Sequence, residues 1–509
     1  MKDYSSLQNG SDIRGVALSV EGGKPVNLTL EAVRDIGAAF GVWLRESCSE
    51  ASPSVAIGRD SRITGEAISA AIAEGLSLAG VYAHTAGLAS TPAMFMCCAE
   101  GEFDGGIMVT ASHLPYERNG AKFFTKKSGL EKADIKRILQ LAGEGAEALC
   151  AGLSPAPVSR CDVMTPYTAG LRGRILAALG LPEGAKPFEG MKIIVDAGNG
   201  AGGFFAERVL EPLGADTAGS LYLEPDGLFP NHQPNPENAE AMACITKAVI
   251  ETGADMGIIF DTDVDRAGAV LPDGRGGAAA LDRNRLIAMM TAILRRQYGP
   301  ITVVTDSITS TGLAEFIASL GCRHHRFKRG YRNVINEAQR LSALGEKAIF
   351  AMETSGHGAL AENYYLDDGA YITVKLLAAL VEAKREGRPL LRLIETLREP
   401  AEGFEARLPV LAADFAPYTE AVLKGVEERF AALEGFSIVP ENYEGVRVNA
   451  DESHGNGWFL IRRSLHDPLM PTNVESDSAG GAAVIAAALA ECLAAFPELD
   501  ITTLLERTK

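Results

Sequence analysis

Three times along the chain a short apolar run ends abruptly in a polar loop. Val-Ala-Ile-Gly-Arg-Asp-Ser-Arg at 55–62, Ile-Ile-Val-Asp-Ala-Gly-Asn-Gly at 193–200 and Val-Val-Thr-Asp-Ser-Ile-Thr-Ser at 303–310 share this form. A helical pattern follows each, and then a glycine before the next apolar run: Ala-Gly-Val at 79–81, Leu-Gly-Ala at 213–215 and Leu-Gly-Cys at 320–322. Strand, loop, helix, turn and strand in that order, repeated three times, predict parallel α/β sheets. Each copy then offers a second apolar run with a chemically loaded end: Met-Val-Thr-Ala-Ser112-His, Gly-Ile-Ile-Phe-Asp261-Thr-Asp263-Val-Asp265-Arg266, and Ala-Ile-Phe-Ala-Met-Glu353-Thr-Ser355-Gly-His357. Ligands of such sheets lie beyond the carboxyl ends of the strands, so the three loops are expected to face one cleft.

The pattern breaks near residue 402. Phe404-Glu-Ala-Arg-Leu-Pro-Val alternates as an edge strand does, a helix runs to about 433, and Gly445-Val-Arg-Val-Asn and Trp458-Phe-Leu-Ile-Arg462 read as strands. The Ala-rich stretch from Ala479 to Phe496 is expected to close the chain as a helix. The expected fold class is therefore α/β, with three similar domains built on mixed or parallel sheets and a smaller C-terminal α+β domain. Boundaries are placed at 1–160, 161–281, 282–401 and 402–509. Pro155-Ala-Pro157, Pro272-Asp-Gly-Arg-Gly-Gly and Glu399-Pro400 read as linkers.

The loop ends carry candidate chemistry. Ser112 follows the apolar run 106–110, and Pro115 and Asn119-Gly120 then turn the chain. A serine hydroxyl becomes a useful nucleophile only beside a base or cation; His113 adjoins it and Lys122 lies downstream. Asp261, Asp263 and Asp265 alternate directly after a strand, and carboxylates this close repel one another until a cation neutralises them. Hard oxygen ligands suit Mg²⁺ or Ca²⁺. An EF-hand needs Gly at its sixth position and Glu at its twelfth, where this chain has Arg266 and Pro272. Glu353 can take sugar hydroxyls, Ser355 adds a donor and acceptor, and His357 can move a proton near neutral pH. Candidate phosphate contacts are Arg14, Arg59, Arg62, Lys122, Lys328 and Arg462 with Ser464.

A net charge of −18 over 509 residues argues against a general nucleic-acid binder, so any phosphate site must be assembled locally from cations and backbone amides. Eight cysteines without a Cys-x-x-Cys pair fit reduced cytosolic thiols. The polar start Met-Lys-Asp-Tyr-Ser-Ser does not read as a signal peptide, and Glu491 within 479–496 argues against a membrane span. The expected location is the cytoplasm.

Thr-Ala-Ser-His-Leu-Pro…Asn-Gly, Asp-Thr-Asp-Val-Asp-Arg and Glu-Thr-Ser-Gly-His, in this order and spacing, resemble the α-D-phosphohexomutases, the phosphoglucomutase/phosphomannomutase group. Asp-Ile-Arg-Gly at 12–15, Phe-Pro-Asn…Pro-Asn-Pro at 229–236 and Leu-Asp-Asp-Gly at 366–369 look like the same family. The resemblance covers nearly the whole chain. It implies four domains around a central cleft, with Ser112 as the phosphoserine. Asp261, Asp263 and Asp265 would hold Mg²⁺ together with an oxygen from Ser112. Glu353 and Ser355 would bind sugar hydroxyls, and His113, Lys122, Arg266 and His357 would serve the transfer itself. The implied reaction interconverts hexose 1-phosphate and hexose 6-phosphate through a hexose 1,6-bisphosphate, which also acts as primer. The implied partners are small sugar phosphates and, at most, a second copy of the chain. A phosphoglucosamine mutase, a Mg²⁺-dependent phosphatase and a non-catalytic sugar-phosphate sensor are the alternatives.

One stretch departs from the family. Its last domain usually carries Arg-Pro-Ser-Gly-Thr-Glu-Pro and then another Arg; here Arg462-Arg463-Ser464-Leu465-His466-Asp467-Pro468 stands instead, without the later Arg. Arg462 and Ser464 are expected to hold the distal phosphate, with Arg463 or His466 as a new partner. The departure bears on substrate identity more than on fold. Asp-Thr-Asp in place of the family's commoner Asp-Gly-Asp keeps both carboxylates.

Overall fold

The repeated apolar runs become the strands Ser54–Arg59, Ile193–Asp196 and Thr302–Thr305, buried along nearly their whole lengths. Burial on both faces is the mark of a parallel strand covered by helices. Each pairs in parallel with the strand that carries a loaded loop: Gly105–Val109, Met256–Phe260 and Phe350–Met352 respectively. The structure, a computed structural model, describes residues 2–48, 52–464 and 467–508. The chain divides into two compact units, Met1–Leu286 with Ser355–Arg392 and Ile287–Thr354 with Leu393–Lys509.

The first unit holds two sheets. Seven strands run in the spatial order Gln8–Asn9, Asp12–Val16, Arg118–Thr125, Gly105–Val109, Ser54–Arg59, Tyr82–Leu88 and Val158–Arg160. Gly105–Val109 is parallel to Ser54–Arg59 and antiparallel to Arg118–Thr125, so the sheet is mixed. Phe40, Val55, Ile107 and Phe123 are core residues here. Helices Leu30–Ser47 and Gly65–Leu78 approach so closely that a Cβ on Gly75 would lie 2.1 Å from the Arg34 carbonyl oxygen. The four-stranded sheet orders Ala278–Leu281, Ala267–Pro272, Met256–Phe260 and Ile193–Asp196.

In the second unit, Thr302–Thr305 lies parallel to both Arg323–Arg326 and Phe350–Met352. Five antiparallel strands follow in the order Glu402–Pro409, Leu469–Ser476, Gly457–Ile461, Val446–Ala450 and Phe436–Ile438. Glu402–Pro409 is the edge strand that its alternation predicts, with Ala406 and Leu408 turned inward. Phe415–Ala431 and Gly481–Leu493 are helices of this region.

Four sequence expectations are corrected. Pro272 to Gly277 is no linker: it is the turn of a hairpin between Ala267–Pro272 and Ala278–Leu281. Asp273 accepts hydrogen bonds there from the amides of Arg275 and Gly277, and a linker and a hairpin turn use the same residues. The helix of the second repeat is reduced to a π turn, Ala206–Leu210, and a 3₁₀ turn, Glu211–Leu213; Pro212 has no N–H to continue an α-helix. The strand expected after it survives only as isolated bridges at Asp216 and Leu221. Leu469–Ser476 was hidden in the sequence by Pro471, and the last helix is Thr502–Leu505, beyond the Ala-rich one. Among the described residues no helix is long and apolar enough to cross a membrane.

The packing gives a paired stability prediction. A Cβ on Gly120 would meet the Ile13 carbonyl oxygen at 2.0 Å, whereas one on Gly170, exposed in the helix Met164–Ala178, would meet nothing within 4 Å. Gly120→Ala is expected to cost about 1–3 kcal/mol by overpacking. Gly170→Ala is expected to hold or raise stability by up to ~1 kcal/mol through helix propensity. Thermal melting of the two variants beside wild type checks the opposite signs.

Candidate active site

Ser112 stands past the end of Gly105–Val109 in a left-handed conformation, φ +50°, and is 3% exposed. That backbone region is costly for a residue with a Cβ and persists only where the surroundings enforce it. Its amide donates to Thr110 Oγ1 at 2.9 Å, and its carbonyl accepts from Arg62 Nη2 at 2.5 Å. Arg62 also donates to the carbonyls of Leu114, Pro115 and Arg118. This overturns the expectation of Arg62 as a phosphate contact: its guanidinium is buried under the loop and occupied by backbone. Arg59 donates to the Asp60 carbonyl at 3.1 Å.

The side chain of Ser112 faces the acidic triplet. Its Oγ donates to Asp261 Oδ2 at 3.2 Å and accepts from Arg266 Nη2 at 2.8 Å. Asp261, Asp263 and Asp265 are all buried, with ligand oxygens within 4.8 Å of one another. Val264, φ +69°, turns the backbone between the last two. Burial, then the charges of Asp265 and Asp263, push the Asp261 carboxyl well above the usual carboxylate range. Asp265 goes the other way: burial opposes its charge, but Lys122, His357 and Arg266 together hold its pKa below the usual value. Lys122 Nζ donates to Asp263 Oδ2 at 2.9 Å and also to Asp265. Thr91 Oγ1 donates to Asp263 Oδ2 at 2.5 Å. Asp263 Oδ1 and Asp265 Oδ1 are buried yet take no hydrogen bond among the described residues. Buried carboxylate oxygens left over after the neighbouring donors are used are what a hard divalent cation would take, so the donor set fits a metal of that class.

Cations and imidazoles ring this cluster. Arg266 Nη2 also lies 2.6 Å from His113 Nδ1, so that nitrogen accepts. Burial first, then Arg266 and Arg14, drop the His113 pKa to about 2, and the ring is neutral. His357 Nδ1 lies 2.5 Å from Asp367 Oδ2 and 3.9 Å from Asp265 Oδ1. Burial works against its charge, but Asp367 and Asp265 outweigh it, so the His357 pKa is raised. Arg266 and His357 form an antiparallel bridge, and Gly356 between Ser355 and His357 has φ +95°. Ser355 is buried. Arg14, on Asp12–Val16, pairs with Asp12 at 2.8 Å. Thus Ser112, His113, Lys122, Arg266, His357 and the triplet come together in the first unit. The sequence reading named no role for Asp367 or Thr91; the signal for Asp367 was Leu-Asp-Asp-Gly at 366–369, where a Cβ on Gly369 would meet the Arg266 backbone at 2.5 Å.

The second unit carries the other candidates. Glu353 Oε1 accepts from the Gly330 amide at 2.7 Å. Asp306, missed in the sequence reading, accepts from Thr354 Oγ1 at 2.8 Å, and burial with the nearby Glu353 charge pushes its pKa up to about 7. Lys328 is exposed, its Nζ 5.9 Å from the Phe327 ring centre. Burial lowers the Arg462 pKa, with Glu444 opposing. The Ser464 amide donates to the Leu469 carbonyl at 3.0 Å. His466 lies outside the described residues, with Leu465. Arg447, whose guanidinium stacks 3.6 Å from the Trp458 ring centre, donates to the carbonyls of Ser307 and Thr309. Trp458 Nε1 in turn donates to Glu475 Oε2 at 3.1 Å.

Glu475 supplies a pH prediction. Burial pushes its pKa up to about 7 from an ordinary value of 4.5. Between those two values the folded chain holds a proton that the unfolded chain releases, so this group's contribution to stability is full at low pH and is lost as pH rises through about 7. Melting curves from pH 5 to 8 should show Glu475→Gln gaining on wild type as pH rises; a constant difference would contradict the shift.

Residues 5–161, 178–274 and 282–400 match the phosphoglucomutase/phosphomannomutase alpha/beta/alpha domains I, II and III respectively. A phosphoglucosamine mutase of Cereibacter sphaeroides is 30% identical over 467 residues, 88% of this chain and 91% of that protein. The chain belongs to the phosphoglucomutase/phosphomannomutase family. A phosphomannomutase/phosphoglucomutase of Pseudomonas putida is 28% identical over 475 residues, covering 93% and 92% of the two chains. The crystal structure of a family protein from Burkholderia thailandensis shares the fold with TM-score 0.76 at 24% identity, over 97% of this chain and 98% of that one.

In this family member the triplet makes a direct prediction. Asp263→Asn should weaken Mg²⁺ or Mn²⁺ binding, measured by calorimetry, by roughly tenfold or more, because one anionic oxygen ligand is lost. Equal affinity in variant and wild type would remove the triplet as the cation site.

Proposed function

We propose that this chain is a phosphohexomutase that interconverts hexose 1-phosphate and hexose 6-phosphate, with Ser112 carrying the phosphoryl group between turnovers. The observation that carries this reading is the pair of contacts on Ser112 Oγ, to Asp261 at 3.2 Å and Arg266 at 2.8 Å, in a buried loop. A hydroxyl so placed has an acidic cation site on one side and a fixed guanidinium on the other. The names of the relatives, phosphomannomutase/phosphoglucomutase and phosphoglucosamine mutase, support hexose phosphates as the substrate class.

Phosphoryl transfer is mainly positioning and charge neutralisation. A free hydroxyl of the sugar phosphate attacks phosphorus, the bond from phosphorus to Ser112 Oγ breaks, and a hexose 1,6-bisphosphate results. The bisphosphate reorients and returns its other phosphoryl to Ser112. Arg266 neutralises charge developing on Oγ, and Lys122 offsets Asp263 and Asp265. His357, held by Asp367, adds positive charge beside Asp265 and assists the proton transfer that accompanies each attack. His113, neutral, accepts from Arg266 and orients its guanidinium. Asp261, Asp263 and Asp265 would hold Mg²⁺, which when bound withdraws charge from the phosphoryl oxygens. Glu353 and Ser355 are assigned to the sugar hydroxyls, and Arg14, Lys328, Arg462, Ser464 and His466 to phosphate. A four-domain division at 160, 281 and 401 belongs to the same proposal.

A coupled assay tests it. With Mg²⁺ and a 1,6-bisphosphate primer, wild type should convert at least one of the 1-phosphates of glucose, mannose and glucosamine to its 6-phosphate. Ser112→Ala should lose that activity by orders of magnitude while keeping its melting temperature. Undiminished turnover in Ser112→Ala, or release of inorganic phosphate in place of the 6-phosphate, would refute the reading.

A further inference from the structure

Arg62 is buried to 1% exposure directly beneath the Ser112 loop, and none of its nitrogens faces outward. Its Nη2 donates to the carbonyls of Ser112 at 2.5 Å and Leu114 at 2.6 Å, and its Nη1 to those of Pro115 at 2.8 Å and Arg118 at 2.9 Å. Its Nε lies 3.2 Å from Asp60 Oδ2, and the Asp60 carboxylate also accepts from the Arg62 amide at 3.0 Å. One planar fork therefore ties together four carbonyls of the loop from Ser112 to Arg118. A lysine in the same place offers a compact ammonium without that fork.

The other face of the guanidinium meets the second sheet's loops. The Phe229 ring centre lies 5.2 Å from Arg62 Cζ, and Phe229 itself has φ +51°. Gly227 presses so near that a Cβ there would lie 2.5 Å from both the Ile63 amide nitrogen and the Ser61 carbonyl oxygen. The segment at 227–229 thus clamps the arginine from outside while the Ser112 loop wraps it from inside. That clamp explains how Ser112 is kept at φ +50°, with its Oγ aimed at Asp261 and Arg266.

We propose that Arg62, held by Phe229, is the positioning residue that sets where Ser112 Oγ stands during transfer. The inference rests on the reading of Ser112 as the phosphoryl carrier. It predicts an effect on the transfer step and none on substrate binding, because all four hydrogen bonds of the Arg62 Nη atoms go to backbone carbonyls and its buried Nε faces Asp60.

The experiment loads wild type, Arg62→Lys and Phe229→Leu with a hexose 1,6-bisphosphate and expresses kcat per phosphorylated serine, counted by intact mass. Arg62→Lys should lose about a hundredfold in kcat, as misplacement of a reacting atom does, with KM within about threefold of wild type. Phe229→Leu should lose less, in the same sense. Amide exchange across 112–118 should quicken in both variants; this readout needs no turnover, so it stands apart from the mutase reading should wild type prove inactive. A kcat per phosphorylated serine equal to wild type in both variants would overturn the proposal, even if melting temperatures fall. So would a raised KM at unchanged kcat, or unchanged exchange across the loop. If Arg62→Lys does not fold, Phe229→Leu decides by the same criteria.

Discussion

Three carboxylates with oxygens inside 4.8 Å of one another, all buried, are the constraint around which the first unit is arranged. Such a cluster is unstable by itself: burial and mutual repulsion each favour protonation. The chain answers with counter-charge from distant segments. Lys122 comes from the strand Arg118–Thr125, Arg266 from the end of the triplet itself, and His357 from the segment after the third sheet's loaded strand. Their pull is uneven: it holds the Asp265 pKa below the usual carboxylate range, while burial and the neighbouring carboxylates push that of Asp261 above it. Ser112 Oγ is placed against Asp261, beside the carboxylates that would hold a cation next to a phosphoryl group.

The placement of these groups follows from the sheets. A parallel strand delivers the residue after its carboxyl end to one rim, and Ser112 and Asp261 both arrive in that way. The strand Arg118–Thr125 runs antiparallel to Gly105–Val109, so its Lys122, opposite Met108, comes back past the same loop. The positions that carry chemistry are fixed by backbone hydrogen bonding, and the loops add only turns, at Ser112, Val264 and Gly356, where φ is positive.

Much of this was legible in the residues. The apolar runs gave the repeated strands of the α/β units, and the loaded loops were identified because chemistry-bearing residues sat directly after such runs. What sequence could not give was direction. Arg62 read as a phosphate contact because a polar loop holds it, and only the fold turns it inward to four carbonyls. Pro272 to Gly277 looked like a linker because turn residues are the same in hairpins and between domains. Leu469–Ser476 was lost because Pro471 reads as a strand breaker, although its carbonyl still accepts from the Arg462 amide. Asp306 and Arg447 were passed over because their partners, Thr354 for one and Ser307 and Thr309 for the other, are far away in sequence.

The central claim is that a single serine shuttles the phosphoryl group. Its most direct test is to incubate the purified protein with a hexose 1,6-bisphosphate, digest it, locate the phosphate by mass, and then chase with hexose 1-phosphate. The account predicts one added phosphate, about 80 Da, on Ser112, discharged into sugar bisphosphate by the chase. Phosphate on another residue, or steady turnover with no phosphate on the protein, would contradict it.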